Sequence, residues 1–422
     1  MLDRKVAPPI QQISDIYLPR PKKHLLDNGI PVYEVKLGTQ EVLKLEVVFR
    51  AGRPYERKHM VGRATARLLR EGTTEHSAAE IAEILDFYGG SLNTPINLDT
   101  SNFILYSLSK HFDKLLPLFS SILTRPAFPE EELKAFIERH QQRLQVDLSK
   151  NDVVAYRTIT ELIFGSDHPY GYNSSLESYA ALTREDLMAH FQQHYNRNNC
   201  YLFISGKTED RHIELLNEHF SNIPTGLVSQ GYFPTIHTQP QQLRLQQDES
   251  LQTAIRIGRR LFNRHHPDYK AMYVLNTIYG GYFGSRLMAN IREDKGYTYN
   301  IYSSAETLFQ DGYFCIGTEV SNDMVEPTRK EIYAEMERMK TELVKEEELQ
   351  MVRNYLLGNL LTSLDGAFNV SEIVRVGITE GLSFDNFEQL AHTIRHISAE
   401  ELRALAQRFF SREEMWEVIV GQ

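Results

Sequence analysis

At 422 residues the chain is long for a single core, and two domains are the simplest expectation. Its 41% apolar and 24% charged content is that of a globular protein, and no apolar run reaches the roughly 18–20 residues of a membrane span, so no membrane insertion is expected. The formal charge of −10 argues against nonspecific nucleic-acid binding, which needs a cationic face, and is compatible with basic peptides.

In chain order, the opening MLDRKVAPPIQQ lacks the apolar core of a signal peptide, and two cysteines, Cys200 and Cys315, are too few for a disulfide framework. A cytoplasmic setting is the expectation, with a periplasmic one only if a leader has been removed. KLEVVFRAG (44–52) and NFILYSL (102–108) read as strands, and AAEIAEILDFYGG (78–90) and FDKLLPLFSSIL (112–123) as helices. PEEEL at 129–133 opens a long helical pattern with acidic residues at the positive helix start, and it recurs as KEEEL at 345–349, a shift of 216. TREDLMAHFQQHYNRNNCYLFISGK (183–207) matches SAEELRALAQRFFSREEMWEVIVGQ (398–422) at a shift of 215. Each reads as a Thr or Ser cap, an amphipathic helix, a polar turn and an apolar strand ending near Gly.

Two matches at nearly one spacing predict a duplicated domain. Periodicity fails in the Pro-, Gly-, Thr- and Gln-rich stretch 221–242, which predicts an N-terminal domain 1–222, a linker 223–242 and a C-terminal domain 243–422. Strands joined by short turns and interleaved with helices predict an α+β, layered α/β class, each domain a mostly antiparallel sheet covered by helices. Cys200 and Cys315 fall in predicted core strands and read as buried small hydrophobes.

VVFRAGRPYERKHMVGRATARLLREGTTEHSAAEIAEILDFYGGSLN (47–93) resembles the opening of the pitrilysin/insulinase zinc peptidases. Their pattern is an apolar strand, a G-S-R-like turn, a helix bearing HxxEH, Gly-Thr, and a helix ending in Gly-Gly. Gly52-Arg53, Gly72-Thr73 and Gly89-Gly90 stand in those places. With HPYG at 168–171 and a block at 277–304, the resemblance covers nearly the whole chain. In HxxEH, residues i and i+4 share a helix face, so two imidazoles bind one zinc while the Glu activates its water. Here those positions are Arg63, Ala66 and Arg67, which offer neither lone pair nor base. The family's third ligand, a Glu, would fall near residues 143–145, and no carboxylate lies between Glu138 and Asp147. The resemblance therefore implies a chain that binds no catalytic zinc.

TIYGGYFGSRLMANIREDKGYTYNIYSS (277–304) resembles the family's Gly-rich loop, a helix, and a coupled Arg and Tyr seven residues apart, here Arg292 and Tyr299. The resemblance implies that this pair faces the zinc from the opposite domain, positions substrate and stabilises charge on the carbonyl oxygen. It also implies substrate contact by Gly280, Gly281, Tyr282, Phe283 and Gly284. A phenol and a guanidinium can both donate hydrogen bonds without metal.

The expected function is the zinc-free subunit of a two-chain peptidase acting on peptides, inactive alone, with zinc supplied by a homologous HxxEH-bearing partner. The rivals are a noncatalytic scaffold or peptide-binding subunit, and a homodimer that captures peptides. Plainer readings stay open: Arg63 and Arg67 as a solvated or ion-paired helix face, Arg292 and Tyr299 as packing residues, and the Gly-rich loop as a helix-entry turn. His59, His265 and His266 lack partners at ligand spacing and read as surface or capping residues.

Overall fold

The computed structural model describes residues 16–247 and 250–422 of the chain. Two sheets organise it. In the first half, β1 (Lys22–Leu25), β2 (Pro31–Lys36), β3 (Val42–Phe49), β4 (Ser91–Asn93), β5 (Ser101–Leu108) and β6 (Cys200–Gly206) lie in the order β1-β2-β6-β3-β5-β4. In the second half, β7 (Gln242–Gln246), β8 (Gln252–Leu261), β9 (Ile301–Thr307), β10 (Gly312–Ser321) and β11 (Trp416–Gly421) lie in the order β7-β11-β8-β10-β9. Stripped of β1, the two orders are the same. Each sheet is antiparallel except for one pair, β2 with β6 and β7 with β11. The parallel pair arises because the last strand of each half returns from a helix to lie beside an early strand of that half, β2 in the first and β7 in the second.

Local chemistry explains the helix starts. Thr183 and Ser398 each close a capping box, with Asp186 and Glu401 as their third-position partners, and Ser77 does so with Glu80. The acidic triplets 130–132 and 346–348 occupy the first turns of Glu130–Leu148 and Glu346–Ser363, at the positive end of the helix dipole. Cys200 and Cys315 are buried in strands, where burial raises both thiols, Cys315 to about 12.

The two halves exchange a helix. Asn151–Phe164 recurs 216 residues later as Ala367–Glu380, and neither lies on the sheet of its own half. The first sets Ala155, Ile159, Ile163 and Phe164 in one core with Ala254 of β8, Cys315 of β10 and Val418 and Val420 of β11. The second shares a core with Tyr33 and Val35 of β2 and Phe203 of β6 through Val370 and Val374. It also carries a charged seam: Lys44 of β3 pairs with Glu46 (3.1 Å) and with Glu372, and Glu46 pairs with Arg375 (3.1 Å) while accepting from Asn102 Nδ2 (2.9 Å). Lys44 and Glu46 are each only 1% exposed, so the seam demands one register of helix on sheet more than it adds stability.

Residues 221–241 hold neither helix nor strand, and Gln242 already belongs to β7. The connection is strapped to both halves: Tyr232 N donates to Pro54 O (2.7 Å), Ser229 N to Asn199 Oδ1 (2.6 Å), Thr238 Oγ1 to Ile163 O (2.8 Å) and Arg260 to Ile236 O (2.9 Å). No helix among the described residues is long and apolar enough to cross a membrane.

Candidate functional site

The helix Val61–Leu68 begins after Met60, which takes a left-handed φ of 72°, and the Glu56 carboxylate caps it by accepting from Gly62 N (2.8 Å) and Met60 N (3.3 Å). A Cβ at Gly62 would sit 2.9 Å from Ala51 O, so this close helix entry requires glycine. Tyr172, just past the HPYG stretch, donates its hydroxyl to Glu56 (2.6 Å) and stacks between His59 (centroids 4.1 Å apart) and the Arg53 guanidinium (4.2 Å). Burial pushes the Glu56 carboxyl above, and the His59 imidazole below, their usual values.

On this helix Arg63, Ala66 and Arg67 line one small cavity of about 50 Å³, walled by Gly52 and Arg53 and by residues 94–98. Neither arginine has an ion-pair or hydrogen-bond partner among the described residues. The third family position falls on Glu130–Leu148, where Arg143 points outward, 80% exposed, with Asp147 at 3.6 Å. No group of three or more His, Cys, Asp or Glu among the described residues is placed to hold a metal ion. A guanidinium has no lone pair to give a dication, so the residues do not fit a zinc centre. His265 bonds to Glu380 O through Nε2 (2.8 Å) and His266 stacks on Phe262 (3.9 Å), both structural roles.

The second candidate is built on the other half. The helix Tyr269–Asn276 widens into a π-turn at Thr277–Gly281, and a second π-turn spans Met288–Asp294. The stretch SRLMANIRE, expected to be an ordinary helix, is thus mostly π, with Lys295 N reaching back to Asn290 O (3.1 Å). Such turns are rare and concentrate at functional sites. A Cβ at Gly280 would lie 2.5 Å from Ser303 Oγ, so glycine lets the loop close on β9, where Ser303 Oγ also donates to Asn276 Oδ1 (2.8 Å).

The two aromatics of the loop part company. Tyr282 packs on Tyr355 (4.9 Å), whereas Phe283, 63% exposed, lies under the Arg292 guanidinium at 4.6 Å. Tyr299 covers Arg292 on another side at 5.6 Å. Its backbone is pinned by Thr298, whose hydroxyl donates to Glu319 O (2.7 Å) and accepts from Asn300 N (3.2 Å). The structure therefore brings Phe283, Arg292 and Tyr299 together and leaves Tyr282 outside. Arg292 has no carboxylate partner among the described residues, and the Tyr299 side chain, in a segment 87% exposed at that residue, has no hydrogen bond.

One residue escapes the sequence reading. Asp99 accepts from the Tyr170 hydroxyl of HPYG and, across the halves, from Phe309 N (3.4 Å), while its carbonyl accepts from Gly52 N (3.3 Å). Nothing local in the sequence marks Asp99 as a long-range acceptor, and its partner Tyr170 belongs to HPYG. Burial pushes the Asp99 carboxyl up to about 6 from 3.8. The folded protein then holds a proton that the unfolded chain has released, so this contribution is complete below pH 4 and is lost as pH rises through 6, by about 3 kcal/mol. Urea midpoints of wild type and Asp99→Asn are expected to differ in slope between pH 4 and 7, the variant lacking this decline; parallel profiles would sink the assignment.

Residues 35–164 match the family described as Insulinase (Peptidase family M16), and residues 181–356 match its Peptidase M16 inactive domain. A Rickettsia felis protein named as an uncharacterized zinc protease is 25% identical over 394 residues, covering 92% of this chain and 94% of that protein. A Helicobacter pylori protein named as non-peptidase homolog YmxG is 24% identical over 327 residues, covering 75% and 74%. The crystal structure of a peptidase M16 inactive domain from Pseudomonas fluorescens matches with a TM-score of 0.86 at 21% identity, covering 95% of this chain and 98% of that one, a likeness of fold. With both family segments found in order on a duplicated fold, the chain belongs to the insulinase (M16) peptidase family.

Proposed function

We propose that this chain is the zinc-free member of a two-chain peptidase, lending Phe283, Arg292 and Tyr299 to a peptide held by a homologous HxxEH-bearing partner. The observation that carries this reading is the Arg292 guanidinium, held by two aromatic faces and no carboxylate, beside a free phenol. A structural arginine normally ends on an acceptor, as Arg286 does on Glu348 (2.8 Å) and Arg329 on Glu417. Arg292 instead keeps its donors for an incoming carbonyl, and the two rings limit its motion at a contribution of about 0.5–1 kcal/mol each. Tyr299 donates to the peptide carbonyl oxygen as negative charge develops there. Zinc is expected in the partner, and the assembly in a reducing cytoplasm.

The test is reconstitution. The chain purified alone is expected to carry no stoichiometric zinc by elemental analysis and to cleave no peptide, and mixing with an HxxEH-bearing homologue of the same genome restores chelator-sensitive cleavage. Chelator-sensitive cleavage by the chain alone overturns the reading. The name of the Helicobacter relative favours a second reading, a noncatalytic peptide-binding or scaffold subunit. That subunit, or a homodimer capturing peptides, would be indifferent to Tyr299→Phe.

A further inference from the structure

The cavity that stands where family members hold their metal is cationic and short of acceptors. Arg53, Arg63 and Arg67 line it, and the carboxylate among its lining residues is Glu56. Both Glu56 oxygens are occupied: Oε1 by Gly62 N, and Oε2 by Met60 N and the Tyr172 hydroxyl. Arg53 spends a donor on the carbonyls of Pro169 and Tyr172, and no carboxylate lies within ion-pair distance of Arg53, Arg63 or Arg67 among the described residues. Two buried polar atoms here have no hydrogen-bond partner among the described residues: Arg63 Nε, and the hydroxyl of Thr94, a residue only 5% exposed. Orphaned buried donors are costly unless something fills them, roughly 1–3 kcal/mol apiece.

The neighbouring elements deepen the imbalance. Glu130–Leu148 brings Arg139 and His140 near the same end, and Arg70 follows in the 3-10 turn Leu69–Glu71 that continues the helix Val61–Leu68. Burial, with Arg63 and Arg70, depresses the Arg67 guanidinium from its usual value, and burial with Arg63, Arg139 and Arg67 does the same to His140. The acidic groups of these elements, Glu71, Glu130, Glu131, Glu132, Glu138 and Asp147, lie off the cavity wall, and Glu71 is engaged by Arg70 at 3.8 Å.

We propose that this cavity is a carboxylate-binding site for an acidic peptide, Arg63 and Arg67 taking the two oxygens and Thr94 donating to one of them. The size fits: about 50 Å³ accommodates roughly three to five water-sized groups, enough for a carboxylate. The chemistry fits too, because guanidiniums match a planar two-oxygen acceptor and are less strongly hydrated than ammonium groups. The loss of the metal ligands would then have replaced one cationic centre by another, converting a hydrolytic site into an anchor.

The inference rests on the peptide-binding part of the reading above and not on hydrolysis. It is tested on the isolated full chain by fluorescence anisotropy, with a labelled peptide bearing a single Glu or Gln and with free or amidated C-terminus. The acidic form is expected to bind about 10- to 100-fold tighter than the neutral one. Arg63→Gln/Arg67→Gln removes that difference, leaving neutral-peptide binding as it was, and Thr94→Val reduces it. The double variant relieves repulsion between two unpaired cations, so its peptide-free melting temperature should not fall; if it fails to fold, Arg67→Lys and Thr94→Val carry the test. Equal binding of acidic and neutral peptides overturns the proposal, as does a preference that survives the double variant. Inorganic phosphate and acetate are titrated as competitors: Arg-dependent binding of these ions with no peptide preference marks an adventitious ion only, and overturns it too. A flat result here leaves a Tyr299→Phe effect on kcat standing, and a silent Tyr299→Phe leaves carboxylate anchoring standing.

Discussion

In the reconstituted two-chain assembly, Tyr299→Phe is expected to lower kcat by about 10²- to 10³-fold with little change in KM, the loss seen when one oxyanion donor is removed from an acyl-transfer site. The substitution is clean because the phenol makes no hydrogen bond within the described chain and the residue is 87% exposed. Phenylalanine keeps the ring that covers Arg292 at 5.6 Å, so the loop and the cation stay where they are. Thr298, which sets the backbone, is untouched. The melting temperature should therefore match wild type, and the defect should lie in turnover. An unchanged kcat would hand the case to the noncatalytic reading.

The second large effect concerns folding. Residues 1–222 and 223–422, produced as separate polypeptides, are expected to be soluble and cooperatively folded only when produced together. Alone, the first piece would expose Ile159, Ile163 and Phe164, all 0% exposed in the whole chain, and the second would uncover Ala254, Val418 and Val420. Burying one large apolar side chain contributes about 1.5–3 kcal/mol, so three of them approach the 5–15 kcal/mol that holds an ordinary domain together. The reverse exchange places Glu372 and Arg375 over Lys44 and Glu46, and separating the pieces would strip that Lys–Glu pair of both of its cross-half partners. Near-UV circular dichroism and urea titration of each piece provide the check: a sharp transition from either piece alone would show that the exchange is dispensable. Within the whole chain, Ile159→Ala should cost about 2–5 kcal/mol, read as a shift in the urea midpoint.

Much of the architecture was legible because its signals are local. The caps at Thr183 and Ser398 and the acidic triplets at 130–132 and 346–348 act within one helical turn, and each opens the helix expected of it. The π-turns around Gly280 and Arg292 were not legible, since residues 286–294 read equally well at the ordinary helical period and the shift to i→i+5 bonding comes from packing against β9 and the helix Val325–Thr341. Likewise the apolar stripe of Asn151–Phe164 announces a buried face without saying which sheet buries it.

What the sequence by itself determined is chemical identity and spacing: a duplication at 215–216 residues, Arg63, Ala66 and Arg67 where lone pairs are required, and Arg292 seven residues before Tyr299. A guanidinium cannot ligate a dication in any fold, so that Arg63 and Arg67 are not metal ligands needed no coordinates. Only the tertiary structure decided that each half lends a helix to the other's sheet, that Phe283 and not Tyr282 covers Arg292, and that Arg53, Arg63 and Arg67 converge with Thr94 on one cavity. Those outcomes depend on contacts between residues far apart in the chain, where local pattern specifies a face and long-range packing selects what it meets.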